Sequence, residues 1–252
     1  MEKVSIIIPA HNEEKRIGRT LKEYISYFKR KKLNFQIIVV LNACSDNTLK
    51  IVKKYKELEI LNFKQGGKGF AIIEGFKKAL KKKSNLIGFV DADMATPPVA
   101  FYDLIKNIEN NDGVIANRWD KKSYVKTPQT ILRRIIGRGF NLIVKILFLL
   151  PHQDTQCGAK LFRRELLEKI IPKLGSSEWS FDVDLLFYAR REKAKIRSIP
   201  TIWNDQKGSK INLKKNILTM FLSIVRLRLV HSHLNFIVRF YRKLPNWMRV
   251  HN

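Results

Sequence analysis

Short, continuously apolar segments recur through the first half of this chain, and segments with helical periodicity separate them. A strand with one face in water alternates polar and apolar residues, whereas an uninterrupted apolar run is typical of a strand covered on both faces. The sequence therefore predicts an α/β fold with a mostly parallel sheet and helices on both of its faces. The predicted strands are Val4–Ile8, Phe35–Leu41, Glu59–Phe63, Leu86–Val90 and Val114–Ala116, with a final strand at Ile196–Trp203.

Helical spacing of apolar residues, or capping chemistry, marks the segments between these strands. Asp46 and Thr48, for example, are good N-cap residues ahead of one predicted helix. The chain shows no internal repeat and no flexible linker, so we expect one domain over residues 1–212 and a basic amphipathic tail over residues 213–252. The predicted helices are Arg16–Lys32, Leu49–Tyr55, Gly69–Lys82, Val99–Ile108, Thr130–Leu150 and Phe181–Arg191.

The chain of 252 residues is strongly basic, with 49 Lys and Arg against 22 Asp and Glu and a net charge of +27. This charge indicates a polyanionic partner, which could be nucleic acid, an anionic membrane surface or a phosphorylated substrate. Two cysteines, Cys44 and Cys157, exclude a disulfide-rich scaffold and a four-cysteine zinc site. The strand pattern starts within the first residues, so we expect no signal peptide. The apolar stretch Phe140–Leu150 is about half as long as the ~20 residues that a membrane-spanning helix needs.

Asp91 and Asp93 follow directly after the predicted strand Leu86–Val90. Two carboxylates this close repel each other unless a cation lies between them. Mg²⁺ or Mn²⁺ is the expected occupant, because one or two carboxylates hold such an ion while water and substrate phosphate complete its shell. In the alternative interpretation, Asp93 or Thr96 only caps the following helix. Ligands of parallel sheets bind at the carboxyl ends of strands, where Asn42 and Arg118 are also expected.

Four motifs occur in a fixed order along the first half of the chain. The motifs are Pro9-Ala-His-Asn12-Glu13, Asn42-Ala-Cys-Ser-Asp46-Asn-Thr48, Gly67-Lys68-Gly69 and Asp91-Ala-Asp93. This series resembles family 2 of the nucleotide-sugar-dependent glycosyltransferases, which have the GT-A fold.

Four segments narrow the resemblance, and they are Asp91-Ala-Asp-Met-Ala-Thr-Pro97, Asp154-Thr-Gln-Cys-Gly-Ala-Lys160, Trp179-Ser-Phe-Asp182-Val-Asp184 and Gly208-Ser-Lys210. Together they resemble the dolichyl-phosphate β-glucosyltransferases. The resemblance covers roughly residues 4–212 and implies transfer of a hexose from a UDP-sugar to a polyprenyl phosphate at the cytosolic face of a membrane.

The resemblance implies a set of residues that bind the nucleotide sugar. Asn42 stands where the family usually has an aspartate that hydrogen-bonds uracil, and its amide can still pair with a base edge. Lys68 lies between glycines, which let the backbone approach a phosphate closely; a tight turn before a helix is the alternative interpretation. The full set is Pro9, Asn12, Glu13, Asn42, Lys68, Asp91, Ala92, Asp93, Ser209 and Lys210, with Asp91 and Asp93 as metal ligands.

A second set of residues is implied on the acceptor side of the site. Arginines there would hold the acceptor phosphate and meet the charge that develops on the leaving group; a solvated surface position is the alternative for each. The acceptor set is Arg118, Arg133, Arg138 and Gln156, and the predicted catalytic residues are Asp93, Arg118, Arg134, Asp182 and Asp184.

The chemistry of the acceptor distinguishes two mechanisms. A hydroxyl acceptor needs a general base, because its pKa is far above neutral. A lipid monophosphate already carries a charged oxygen, since its second pKa is ~6, and needs positive charge instead. We therefore expect direct displacement with inversion on a polyprenyl phosphate. The main alternative is a family 2 enzyme that acts on a glycan hydroxyl, with Asp184 as the essential base.

Two apolar and basic segments could reach lipid without spanning it. One is Phe140–Leu150 and the other is Ile217–Met248, which interleaves aliphatic and aromatic residues with arginine, as an interfacial amphipathic helix does. Packing onto the rest of the protein is the alternative for both. His231 and His233, in the second segment, are interpreted as structural or surface residues.

Two further function classes are weighed against this interpretation. Nucleic-acid binding fits the charge, but the sequence has no helix-turn-helix, zinc-finger or RNA-recognition motif, and its basic residues are spread over the whole chain. A nucleotidyltransferase would need a glycine-rich N-terminal signature, which this chain lacks. The identity of the sugar, the nucleotide base, the polyprenol and the oligomeric state stay open.

Overall fold

The computed structural model describes residues 2–127, 131–175, 180–205 and 213–232. Nine strands and eight α-helices are found within these ranges, and a short 3₁₀ turn at Ile171–Lys173 follows the sixth helix. The strands are β1 (Val4–Ala10), β2 (Phe35–Asn42), β3 (Glu59–Phe63), β4 (Leu86–Val90), β5 (Gly113–Asn117), β6 (Tyr124–Thr127), β7 (Ala159–Arg163), β8 (Ile196–Pro200) and β9 (Ile202–Asn204). The helices are α1 (Ile17–Arg30), α2 (Thr48–Val52), α3 (Lys68–Lys81), α4 (Pro98–Lys106), α5 (Ile131–Phe148), α6 (Arg164–Ile170), α7 (Phe181–Arg191) and α8 (Leu213–Val230).

Seven strands form one sheet in the order β3-β2-β1-β4-β7-β5-β8. Among the described strands of this sheet, β7 alone runs antiparallel to its neighbours, between β4 and β5. Strands β6 and β9 form a separate parallel pair. The mostly parallel sheet predicted from the apolar runs is therefore confirmed.

Continuous apolar runs occur because both faces of the sheet are covered. Ile6 and Ile8 of β1 pack into the layer formed with α1 and α4, whereas Ile7 packs into the opposite layer with α3, α5 and α7. All three isoleucines are fully buried. Each such side chain contributes about 1.5–3 kcal/mol relative to an exposed one, so a polar residue on either face needs a partner within the protein.

The sequence pattern failed at three strands and one helix. Strand β7 and helix α6 were not predicted, and neither was β6. The predicted strand Ile196–Trp203 exists as two strands, because the chain leaves the large sheet at Thr201 and continues as β9 in the small one. The other predicted elements exist with ends shifted by a few residues; the helix predicted over Leu49–Tyr55, for example, is the five-residue α2.

Helix α8 packs on the domain rather than apart from it. Ile224 and Leu227 are buried in the layer that contains α5 and α7. His231, just beyond the helix, donates a 2.9 Å hydrogen bond from Nε2 to Asp184 Oδ1 and packs against the rings of Phe187 and Tyr188. The predicted boundary at residue 212 thus falls just before a helix that shares the core. The rest of the predicted tail, from residue 233, lies outside the described residues.

No helix within the described ranges is both long enough and apolar enough to cross a bilayer. The longest, α5 and α8, have 18 residues each, and both carry several cations.

Candidate active site

A cleft of about 410 Å³ opens at the carboxyl ends of β1, β2 and β4. The order of strands reverses between β1 and β4, and such a switch point is where open α/β sheets bind ligands. The volume lies within the range of small-molecule sites. Its lining residues are Pro9, His11, Glu13, Asn42, Gly66, Gly67, Lys68, Asp91, Ala92 and Asp93.

Asp91 and Asp93 occupy the tight turn that follows β4. The turn passes through Met94, whose φ is 63°, and the Ala95 amide donates a 2.9 Å hydrogen bond to Asp93 Oδ1. Helix α1 holds the turn from behind, because Thr20 Oγ1 donates to the carbonyl of Ala92 at 2.6 Å. The side chain of Asp93 is therefore bound to its own turn and does not cap α4.

The electrostatics of this corner favour a bound cation. Burial, together with the neighbouring charge of Asp91, raises the pKa of Asp93 to about 6. A raised carboxyl pKa means that the ionised form is poorly compensated by the protein. Among the described residues, no group of three or more His, Cys, Asp or Glu could hold a metal ion. The pair of carboxylates nevertheless fits a divalent ion whose other ligands come from a diphosphate and water.

Lys68 supplies a positive charge directly beside Asp91. It is the first residue of α3, follows Gly67 with a φ of 116°, and its Nζ lies 2.5 Å from Asp91 Oδ1. Burial lowers the pKa of Lys68, but the charges of Asp91 and Asp182 outweigh that effect and hold the pKa above its usual value. Since helix N-termini favour anions, Lys68 and the start of α3 place positive charge at this corner of the cleft.

Gly158 allows the loop before β7 to lie against Asp91. Val90 of β4 pairs with Ala159 of β7, which places Gly158 opposite Asp91. A Cβ on Gly158 would overlap the Asp91 carboxylate, so only glycine leaves that carboxylate where it stands.

The ends of β1 and β2 form the other wall of the cleft. His11 Nδ1 lies 2.8 Å from the carbonyl of Asn42, and Asn42 Nδ2 donates to the carbonyl of Ala10 at 3.0 Å. The Nδ2 group of Asn42 is therefore already hydrogen-bonded within the protein. Glu13 forms a two-bond ion pair with Arg16, each bond 2.6 Å long.

Asn12, Asp46 and Thr48 support this wall without lining the cleft. Asn12, with a φ of 54°, accepts a 2.8 Å hydrogen bond from the Ser45 amide. Asp46 Oδ1 accepts from the Thr48 amide at 3.0 Å, at the start of α2, so this pair has the local role that the sequence also allowed.

Arg118 is held in place by a fully buried carboxylate. Its Nε and Nη2 donate to Asp154 at 2.7 and 2.9 Å, and its guanidinium lies 5.2 Å from the ring centre of Trp203. Burial raises the pKa of Asp154, but the charge of Arg118 and its hydrogen bonds outweigh burial and leave the pKa below its usual value. Gln156, on the same loop as Asp154, has a buried Nε2 without a hydrogen-bond partner within the described structure. An orphaned buried donor is the kind of group that a ligand satisfies.

Asp182 and Asp184, both in the first turn of α7, have different partners. Asp182 forms an ion pair with Lys160, whose side chain is fully buried. Asp184 accepts a 2.8 Å hydrogen bond from the Gly175 amide and bonds to His231. Neither residue lines the cleft.

The remaining predicted residues lie on α5 or outside the described ranges. Arg134 and Arg138 are exposed on α5. The side chain of Arg133 and the residues Ser209 and Lys210 lie outside the described part of the chain.

Sequence reasoning missed Gly158 and Lys160. Both stand in the segment Asp154-Thr-Gln-Cys-Gly-Ala-Lys160, from which only Gln156 was selected. The sequence signal for Lys160 was a lysine followed directly by two apolar residues, Leu161 and Phe162. A lysine within a buried strand needs a buried partner.

Comparison with known proteins agrees with this geometry. The family model described as Glycosyl transferase family 2 matches residues 5–171. The dolichyl-phosphate beta-glucosyltransferase of Saccharomyces cerevisiae is 33% identical over 255 residues, which cover 90% of this chain and 75% of that protein. The human enzyme of the same name is 31% identical over 229 residues, covering 83% and 70%.

Solved structures share the fold at low sequence identity. Mannosyl-3-phosphoglycerate synthase from Rubrobacter xylanophilus superposes with a TM-score of 0.70 and 16% identity, over 93% of this chain and 78% of that one. Glucosyl-3-phosphoglycerate synthase from Mycobacterium tuberculosis, crystallised with Mn²⁺, UDP and phosphoglyceric acid, gives 0.66 and 15%, over 91% and 78%. The sheet described above is thus a GT-A fold, and the chain belongs to glycosyl transferase family 2.

Proposed function

We propose that this protein transfers glucose from UDP-glucose to a polyprenyl or dolichyl phosphate, with inversion at the anomeric carbon. The observation that carries the proposal is the corner of the cleft where the poorly compensated carboxylate of Asp93 lies beside Asp91, which is ion-paired with Lys68. The identity with the yeast and human dolichyl-phosphate beta-glucosyltransferases supports the choice of donor and acceptor.

Asp91 and Asp93 would hold Mg²⁺ or Mn²⁺, which supplies positive charge to the diphosphate leaving group. Side chains of the protein would stabilise the charge of the same leaving group. Lys68 and the N-terminus of α3 face the same corner and stabilise the negative charge that builds on UDP as the glycosidic bond breaks. Pro9, Glu13 and Asn42 line the part of the cleft where the nucleoside would lie. Asn12, Ser209 and Lys210 stay predicted donor contacts.

No general base is required in this mechanism. The acceptor phosphate is ionised near neutral pH, so its oxygen can attack the anomeric carbon without losing a proton. The alternative, a glycan hydroxyl as acceptor, needs a free carboxylate near the cleft. Asp182 is paired with Lys160 and Asp184 with Gly175 and His231, and this arrangement supports the phosphate acceptor.

Cations and one orphaned amide would bind the acceptor phosphate. Arg118 is fixed by Asp154 and Trp203, which lowers the entropy lost when it binds an anion. Gln156 offers a buried amide donor without a partner. Arg134 and Arg138 are exposed on α5, where a membrane-bound phosphate could reach them; Arg133 stays a predicted member of this group.

The exposed face of α5 supports contact with an anionic membrane surface. Ile135, Leu142 and Ile146 are 63%, 58% and 64% exposed, and at about 100° per residue they fall within about 40° of one another around the helix. Arg134, Arg138 and Lys145 flank this stripe on one side. Apolar side chains beside cations are typical of a helix that lies in the membrane interface. The cytoplasmic face is the side on which the UDP-sugar would be available.

The test of the reaction uses lipid vesicles that contain polyprenyl phosphate, with Mg²⁺ or Mn²⁺ and a panel of labelled UDP- and GDP-sugars. We expect label from UDP-glucose in the organic phase, and none when Asp91 and Asp93 are both changed to Asn. Absence of transfer from every donor would refute the proposal. In the alternative mechanism, D184N would abolish transfer, whereas here it should retain activity.

The test of the membrane contact uses point substitutions, because α8 shares the core and cannot be removed cleanly. The double variant L142N/I146N should bind vesicles that contain anionic lipid more weakly than the wild-type protein. The matched control is V99N/Y124N, which also removes two exposed apolar side chains. Equal loss of binding in both variants would remove α5 from the proposal.

A further inference from the structure

Lys160 carries a buried ammonium group that has two specific partners. Its side chain is fully buried, and Lys160 is the second residue of β7, where the apolar residues Leu161 and Phe162 follow it. Burying an ammonium group is costly unless it is paired and hydrogen-bonded. Lys160 has both kinds of partner, since it forms an ion pair with Asp182 and donates to the carbonyl of Cys157 at 2.7 Å.

These partners belong to three different elements around the cleft. Cys157 lies in the loop before β7, one residue from the glycine that touches Asp91. Asp182 lies in the first turn of α7, and its charge raises the pKa of Lys68. The Nζ of Lys160 also lies 5.3 Å from the ring centre of Phe89 in β4, two residues before Asp91.

Phe89 connects the two lysines of the site. The Nζ of Lys68 lies 6.0 Å from the centre of the same ring. Charges of alternating sign therefore run from Lys160 through Asp182 and Lys68 to Asp91. Loss of the Lys160 charge would leave Asp182 without a buried partner and the Cys157 carbonyl without its hydrogen-bond donor.

We propose that Lys160 is a positioning residue for the transfer reaction, which holds the Cys157–Gly158 backbone and the Asp182 carboxylate in place and thereby keeps Asp91 aligned for the donor. This inference rests on the proposed function. Lys160 itself does not line the cleft, so it acts through its neighbours.

The single variant K160M would not distinguish a positioning role of Lys160 from a role in folding. K160M leaves a largely buried carboxylate unpaired, and removing one partner of a buried pair is strongly destabilising. The double variant K160M/D182N removes both charges and keeps similar side-chain volumes, so it should recover most of the lost thermal stability. The matched control is K106M/D103N, which removes a surface ion pair of 2.8 Å.

The deciding measurement is the affinity for UDP with Mn²⁺, determined by calorimetry on folded protein. We expect K160M/D182N to bind at least about tenfold more weakly than the wild-type protein, because residues that orient metal ligands typically contribute 10–100-fold. Hydrogen exchange in residues 154–160 should be faster in this variant. The control pair should change neither quantity.

Two results would overturn the inference and they differ from each other. A stable K160M/D182N variant with wild-type affinity for UDP and Mn²⁺ would show that Lys160 only maintains the fold. Failure of the wild-type protein itself to bind UDP with Mn²⁺ would refute the proposed function and the inference with it.

Discussion

A single added methyl group at Gly158 should test the site directly. In G158A the new Cβ would overlap Oδ2 and Cγ of Asp91 and lie 2.9 Å from Oδ1. Ordinary van der Waals contact begins at 3.4 Å, so the carboxylate would have to move by on the order of 1 Å. Its motion is opposed by the 2.5 Å ion pair between Oδ1 and Lys68.

We expect G158A to lower kcat/KM by about 100-fold, since a misplacement of about 1 Å in a catalytic site is worth roughly that factor. The free energy of unfolding should change much less, by about 1 kcal/mol. The reason is that Asp91 is 33% exposed in its side chain and can turn toward solvent. The backbone at Gly158 also has no positive φ, so alanine brings no backbone strain there.

The assay compares transfer of labelled glucose to polyprenyl phosphate with the midpoint of thermal unfolding. The matched control is G139A, where nothing lies within 4 Å of an added Cβ. Because Gly139 is inside α5, that alanine should stabilise the protein by about 0.5–1 kcal/mol and leave transfer unchanged. Wild-type activity in G158A, with UDP affinity also unchanged, would refute the argument that Asp91 is confined by this glycine.

Three further predictions follow from the same structure. Asp93 is held with a raised pKa, so D93N should stabilise the metal-free protein above pH 6 while weakening Mn²⁺ binding, as thermal unfolding and calorimetry would show; a less stable D93N would contradict this. Burial, with the charge of Lys160, lowers the pKa of His152 from 6.5 to about 4. Between pH 6.5 and about pH 4 the native chain therefore binds fewer protons than the unfolded chain, and its free energy of unfolding should fall by about 3 kcal/mol as the pH drops through this range. H152Q should lack this loss, and parallel pH profiles of the two proteins would count against the idea. A chain ended after Asn212 should unfold at lower temperature, because Ile224 and Leu227 leave the core; an unchanged midpoint would support a separate tail.

The sequence predicted the parts of the fold whose signal is local. The runs at β1, β2 and β4 are apolar because each strand is covered on both faces, and that pattern is visible without any partner. Strand β7 carries Lys160 and Arg163 within five residues, so its pattern is weak. Its place between β4 and β5 depends on pairing with residues far away in sequence.

The donor side of the site could also be predicted from local sequence signals. Asp91, Asp93 and Asn42 follow predicted strands, and parallel strands bring their carboxyl ends to one edge, so their common cleft could be predicted. The partner of each charged side chain could not be predicted. Arg118 was expected to face a phosphate, but its two hydrogen bonds to Asp154 depend on a loop 36 residues away.

Motif spacing and strand periodicity are properties of neighbouring residues, and they were enough to indicate a parallel α/β protein with an acidic, phosphate-binding edge. Contacts between distant segments are set by packing, which no short pattern encodes. Packing alone determined that Gly158 confines Asp91, that Lys160 pairs with Asp182, and that α8 packs into the core. Burial makes these pairings specific, because a charge removed from water must find its partner within the protein.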